Sequence, residues 1–315
     1  EIYRQIESFA GYSFCKAHSA SYAVESYQSL YLKVHFPIEF MVAVINNQGG
    51  FYRTEVYLHE AKMCGAIVHG PCVNKSDYVS TLYGKDIYLG FMQLQGIEQK
   101  LVDAIFQERK NGLFTSMEDF INRIDIGIES MKTLIFIGAF AFTNQTKNQL
   151  LIRAQIILVN FKPVNRQATL IQEPIKEYTL PVLPRSPYED AFDEIELLGF
   201  TVSCTPFDLL KTSFRGDVMA KNLINYHKKT VRMLAYLIAR KHVPTKRGAM
   251  FFGTWIDADG TFFDTAHFTD SLKNYPFQGG GCYLLLGTVE VDYHFPAITI
   301  SKMAKMPFIA DPRYN

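Results

Sequence analysis

Lys16 and His18 stand two residues apart in the stretch GYSFCKAHSASYA, residues 11–23, beside Ser13 and Ser19. A cation, an imidazole and two hydroxyls at the start of a helical pattern are groups that can steady a phosphate. Phosphoryl transfer also needs carboxylates to hold metal ions, and this stretch has none. The pair therefore reads either as part of an active site or as the polar end of a helix. The one D-x-D of the chain is Asp257-Ala258-Asp259, followed by Gly260 and flanked by strand-like runs, which predicts a hairpin turn and no metal site. His59, Cys64, His69 and Cys72 are of types that zinc accepts, but their spacing matches no paired ligand pattern, and ordinary side chains are expected there.

These residues need elements to position them. Residues 19–36 place Ala20, Ala23, Val24, Tyr27, Leu30, Tyr31 and Val34 at helical spacing, and Pro37 opens a second helix-like segment. From 39 to about 142 the pattern is of short helices joined by glycine-containing turns, with a small hairpin around Gly84. Residues 145–159 are helix-like. The segment 164–190 then carries four prolines without strong periodicity and reads as an exposed linker. Over the last hundred residues five strand-like runs follow one another, with a short helix at 269–276 between the third and fourth, which is the element order of an OB-fold barrel.

Composition bounds the function classes. The chain has 315 residues with 48% hydrophobic and 20% charged, enough for two or three packed domains. No apolar run reaches the ~18–20 residues of a membrane span. Five scattered cysteines are a poor disulfide framework and point to a reducing cytoplasm. The start lacks the order of a signal peptide and an initiator methionine, so a longer parent protein is expected. Net charge is +1, yet residues 218–256 hold Lys221, Lys228, Lys229, Arg232, Arg240, Lys241, Lys246 and Arg247 with no acid, the footprint of a polyanion site or of a solvated face.

Two segments could contact nucleic acid. Residues 94–100, LQGIEQK, resemble the hairpin of a helix-hairpin-helix, where backbone N–H groups at a glycine turn bind phosphate without reading sequence; Gly96, Ile97 and Lys100 are its candidates. Glu98 stands where a second glycine is usual, so the hairpin is also readable as purely structural. IFIGAFAF around Gly138 is a second, very apolar candidate. In the barrel, the basic loop HVPTKRGAM followed by Phe251 and Phe252 offers Lys241, Lys246 and Arg247 for a backbone and two rings for bases, unless the rings alternate into the core.

The run FAGYSFCKAHSASYAVESYQSLYLKVHFPIEFM resembles the end of the fingers region of bacterial replicative DNA polymerase III alpha subunits, matching their G-Y-x-F-x-K-x-H-x-x-x-Y pattern at Gly11, Tyr12, Phe14, Lys16, His18 and Tyr22, and then Pro37, Glu39 and Phe40. Residues 71–105, F-x-S-M-E-D-F at 114–120 and I-x-I-G-A-F resemble the family's tandem helix-hairpin-helix domain, and residues 245–268 its OB domain. The resemblance implies a multidomain α+β chain: the end of the fingers at 1–50, a helix-hairpin-helix and clamp-binding domain at 51–142, a linker with a clamp-binding motif at 143–215, and an OB-fold β-barrel at 216–315. It implies that Lys16 and His18 face the incoming nucleotide's triphosphate, that the helical region holds template–primer duplex, and that the barrel sits near single-stranded DNA. It further implies that Gln167, Leu170 and Ile171 of Gln167-Ala168-Thr169-Leu170-Ile171 dock on the beta sliding clamp, with Ile171 where phenylalanine is usual; Gln149-Leu150-Leu151-Ile152 is a rival match. Other replicase subunits are expected partners. The palm carboxylates and their Mg2+ would lie outside this chain, so the intact protein is expected to be a DNA-directed DNA polymerase and this portion alone inactive, with no cofactor of its own. The alternatives are a stand-alone OB-fold protein that binds single-stranded nucleic acid, and a tRNA-binding module built on the same barrel.

Overall fold

A computed structural model describes residues 2–5, 16–160, 186–246 and 248–314. Helix α1, Lys16–His35, is exposed along its described length, with Tyr22, Tyr27, Leu30 and Val34 all facing solvent. Pro37 at the first position of α2, Pro37–Asn46, starts a new helix because its fixed φ suits a first turn and its missing N–H costs nothing there. Ile38, Met41, Val42 and Ile45 give α2 an apolar stripe, part of which packs on Ala61 of α3, Thr54–Met63.

A three-stranded sheet follows, of which only the hairpin around Gly84 was legible as such. Strand β1, Ile67–His69, pairs parallel with β3, Asp86–Tyr88, and β2, Thr81–Tyr83, pairs antiparallel on its other side. Three residues give β1 too short a pattern to reveal a period, and its partner lies far along the chain. Val68, Leu82 and Ile87 form the inner row, against α2 and α3.

Helices α4, Gln99–Arg109, α5, Met117–Arg123, α6, Ile128–Phe136, and α7, Lys147–Asn160, surround a core that includes Phe91, Phe114, Phe120, Met131 and Phe140. Ser116 caps α5 by accepting from the N–H of Asp119, whereas α6 starts at Gly127 without a side-chain cap. Leu150, Ala154 and Ile157 of α7 and Leu198 of α8, Glu189–Leu198, join the same core, so the packed helical unit extends to α8.

The last part is a closed barrel of β4, Thr230–Thr245, β5, Gly248–Asp257, β6, Phe262–His267, β7, Cys282–Asp292, and β8, Phe295–Lys305, in the order β4-β5-β6-β8-β7, with β4 paired to both β5 and β7. Strands β6 and β8 run parallel, the other pairs antiparallel, and α9, Thr269–Asn274, bridges β6 to β7. That is the OB-fold topology read from the element order. Irregularities at Leu237/Ala239 and Leu286/Gly287 bend the strands enough to close the sheet. A Cβ on Gly287 would lie 2.4 Å from the carbonyl oxygen of Thr299, so the crossing β8 backbone admits only glycine there. Trp255, Tyr283, Leu285, Val289 and Ile298 fill the interior.

Candidate nucleic-acid interface

Strand register sorts the residues at the basic end of the barrel. Lys241 on β4, Phe252 on β5 and Ala266 on β6 are mutual neighbours in register and therefore share one face, the outer one, where Phe252 is 45% exposed. Phe251 points the other way. Its ring lies 4.9 Å from His242 and 5.6 Å from Phe277, and the Arg240 guanidinium sits over both phenylalanine rings at 5.8 and 5.4 Å. The two phenylalanines thus divide, Phe252 outward and Phe251 to the rim of the core.

Phe268, two residues past Ala266 and 51% exposed, adds a second ring beside the loop; its neighbour Thr269 donates to the carbonyl of Ala249 at 2.8 Å and packs on Gly248. Alternation from Phe252 through the register partner Ala266 is the signal by which the sequence could have found Phe268. Arg240 was hidden because its role depends on Phe277, far along the chain. Lys241 and Lys246 are exposed and make no ion pair among the described residues. Arg247 lies outside the described residues. Two outward rings with uncommitted lysines can stack bases and track a phosphate backbone.

The hairpin before α4 places Gly96 in the left-handed region, φ 78°, with open space beside it. Ile97 packs on the helical core, and Lys100 stands exposed in the first turn of α4, where no side chain caps the helix start. The Gln95 N–H donates to the carbonyl of Leu197, fixing the hairpin against α8. Gly138, φ 80°, closes the end of α6 instead, its N–H donating to Ile135 O, and it leads directly into the buried Phe140. The first hairpin thus offers a helix start to solvent and the second a helix end.

His18 is exposed on α1, its ring edge-on to Tyr22 at 4.4 Å; the side chain of Lys16 lies outside the described residues. Gln167, Leu170 and Ile171 lie outside them too. The rival Gln149 serves the helix start instead. Its side-chain oxygen accepts from the Thr146 N–H at 3.0 Å, while its own N–H donates to Thr146 Oγ1 at 3.2 Å. This reciprocal box opens α7 and leaves Leu150 buried.

Among the described residues no group of His, Cys, Asp and Glu is arranged to hold a metal. Asp257 is buried and accepts from the N–H groups of Asp259, Thr261 and Ala220, so it organises the turn, while Asp259 pairs with Lys221 at 2.6 Å. That turn also does something the sequence did not announce. His59 Nε2 bonds the carbonyl of Gly260 at 2.8 Å, and Tyr236 donates to Glu55 at 3.1 Å, joining α3 to the barrel beside a cleft of about 540 Å3. Burial there pushes the Glu55 carboxyl above its ordinary value and the Tyr236 hydroxyl up to about 12.

Comparison with known proteins agrees with this architecture. The helix-hairpin-helix motif family matches residues 65–150. The DNA polymerase III subunit alpha of Treponema pallidum is 32% identical over 96% of this chain and 28% of its own length; that of Borreliella burgdorferi is 29% identical over 100% and 30%. An error-prone DNA polymerase of Bdellovibrio bacteriovorus is 28% identical over 80% of this chain and 26% of its own length. The second OB-fold domain of replication protein A from Methanococcus maripaludis covers 27% of this chain and 87% of that one at 16% identity and TM-score 0.19, a likeness that carries no weight here. The chain spans under a third of the length of these curated relatives. On these grounds the chain is similar, along nearly its whole length, to one portion of bacterial DNA polymerase III alpha subunits.

Proposed function

We propose that this chain is the carboxy-terminal, DNA- and clamp-handling portion of a cytoplasmic replicative DNA polymerase. In this reading the hairpin at Gly96, Ile97 and Lys100 holds template–primer duplex by its backbone, and the outer barrel face at Lys241, Lys246, Phe252 and Phe268 takes single-stranded template. The linker motif Gln167, Leu170 and Ile171 binds the sliding clamp, and other replicase subunits bind elsewhere. Lys16 and His18 complete a triphosphate site whose carboxylates lie elsewhere in the subunit. The parent enzyme would extend primers by two-metal nucleotidyl transfer. The one D-x-D here is spent on a turn, so these residues do not fit that Mg2+.

The observation that carries the reading is the joint exposure of Phe252 and Lys241 on a closed OB barrel, within a chain that aligns with the alpha subunits almost end to end. A stand-alone barrel protein would have no use for residues 1–160. The test combines two assays on this chain. Primer extension is expected to show no incorporation, and clear incorporation would overturn the inactive-portion reading. By anisotropy, Phe252→Ala with Lys241→Ala is expected to weaken oligo(dT) binding ~10-fold or more and to flatten its salt dependence. Unchanged affinity would remove the barrel from the proposal.

A further inference from the structure

The small sheet of the helical unit has an outer row that joins none of the hydrophobic cores of the described residues. Register places Ile67, Asp86 and Tyr83 in one rank and His69, Tyr88 and Thr81 in the next, opposite the inner row of buried Ile87 and partly buried Val68 and Leu82. Three aromatic rings meet there. The imidazole of His69 stacks on the ring of Tyr88 at 4.5 Å with 14° between planes, and Tyr83 approaches Tyr88 edge-on at 6.0 Å, itself 54% exposed.

Hydrogen bonds hold these rings by their edges. His69 Nε2 bonds Asp86 Oδ1 at 2.6 Å, Lys75 Nζ donates to the Tyr88 hydroxyl at 2.7 Å, and the Tyr83 hydroxyl donates to the carbonyl of Lys75 at 3.3 Å. Edges fixed in this way cost the rings their rotamer freedom in advance. Because His69 stacks on Tyr88 and Lys75 Nζ lies 4.6 Å from the centre of the Tyr88 ring, the exposed π-face on offer is that of Tyr83. The charges point the same way. Asp77 is paired with Arg109 and Asp86 is hydrogen-bonded to His69, whereas Lys75 has no carboxylate within ion-pair distance among the described residues. The Tyr88 hydroxyl, as a hydrogen-bond acceptor, raises the pKa of Lys75 above its ordinary value.

We infer that this face, with Tyr83 as its exposed ring beside the His69–Tyr88 stack and Lys75 at its edge, is a second contact for single-stranded nucleic acid, separate from the barrel and from the duplex-holding hairpin. An exposed ring beside a cation with no carboxylate partner suits a single strand, whose bases have free π-faces and whose phosphates can meet the ammonium group. A duplex keeps its bases stacked inside and would use only the lysine. The inference rests on the reading of this chain as a DNA-contacting segment.

The test uses the whole chain with Tyr83→Ala, Tyr83→Trp and Lys75→Ala, and Phe252→Ala as the barrel comparison. Tyr83→Ala is expected to weaken binding of an oligo(dT) long enough to reach both faces about tenfold, with Tyr83→Trp binding at least as well as wild type. Lys75→Ala is expected to lower the salt slope by roughly 0.7. An oligonucleotide carrying 5-iodo-deoxyuridine is expected to photocross-link to the peptide holding Tyr83 or Tyr88. Circular dichroism checks that each variant folds. Loss in Phe252→Ala alone, with cross-links confined to barrel peptides, overturns this inference and leaves the barrel reading standing. Loss in Tyr83→Ala alone does the reverse. Equal loss for duplex and single strand also overturns it, because the face would then read backbone charge only. No effect on either nucleic acid would reassign the face to a protein.

Discussion

His267 ends β6 with its ring wholly buried among aromatic neighbours, 4.7 Å from Phe277 and 6.2 Å from Trp255. The Trp255 N–H donates to Thr265 Oγ1 at 2.7 Å, and that hydroxyl lies 2.7 Å from His267 Nε2. An indole nitrogen only donates, and the hydroxyl itself donates to the carbonyl of Gly253 at 3.3 Å, so it can accept the Nε2 proton of the neutral ring. Nδ1 has no partner among the described residues, and burial pushes the group down to about 4. The native state therefore needs the neutral ring. Between the unfolded value near 6.5 and the native value the unfolded chain binds a proton that the barrel does not, so stability falls as pH falls. The loss from this group by pH 4 is roughly 3 kcal/mol. Denaturant melts of the barrel between pH 7 and 4 are expected to show that slope, and His267→Gln to lose most of it; an unchanged slope would place the titrating group elsewhere. None of this was legible beforehand. A histidine in TFFDTAHF shows its residue type but not that three strands and the α9–β7 segment close over it. The outward place of Phe252 was legible only to within one residue, because two adjacent phenylalanines leave the alternation ambiguous until register is known.

Elements were more legible than residues, for reasons of length. The five barrel strands, the helix between the third and fourth, and the helices around α2, α3 and α7 each run long enough to repeat a period of two or 3.6. β1 did not, and with it went the parallel pairing that creates the His69–Tyr88 face. The helix α7 also bears on the rival clamp motif. Gln149-Leu150-Leu151-Ile152 has the composition of a clamp-binding peptide, but its glutamine closes the capping box with Thr146 and Leu150 is core. Docking it elsewhere would open the helix start and uncover the core. Gln149→Ala is accordingly expected to cost about 1 kcal/mol of stability and to leave clamp binding intact. The triple substitution Gln167→Ala, Leu170→Ala and Ile171→Ala is expected to abolish clamp binding without changing the melt. Surface plasmon resonance on immobilised clamp, with thermal melts alongside, separates the two. Clamp binding lost in Gln149→Ala and kept in the triple variant would transfer the motif to α7.

At the scale of the molecule, the relative placing of the proposed hairpin and barrel contacts depends on how the barrel sits on the helical unit, and a few contacts set this. His59 of α3 bonds the carbonyl of Gly260 in the β5–β6 turn, Tyr236 of β4 donates to Glu55 of α3, and Arg313 near the chain end reaches Asp193 and Glu196 of α8. At Gly260 the approach leaves no room for a side chain. This glycine has φ 85°, and a Cβ there would lie 2.8 Å from His59 Cε1 and 3.1 Å from Met63 Sδ. Gly84 provides the control, since its φ is 64° but nothing lies within 4 Å of a Cβ. Both alanine variants carry the backbone penalty of roughly 1 kcal/mol. Only Gly260→Ala must also push α3 away and weaken the His59 bond, for a total of about 2–3 kcal/mol. In calorimetry Gly84→Ala is expected to shift the melt slightly without changing its shape. Gly260→Ala is expected to separate the barrel and helical transitions and to speed proteolysis between 199 and 216. Adding His59→Ala to Gly260→Ala removes the clash, so the double variant should be more stable than the sum of the two single changes predicts, a coupling of at least about 0.5 kcal/mol. Strict additivity, or a Gly84→Ala melt that splits in the same way, would mean that the turn does not hold the barrel to α3.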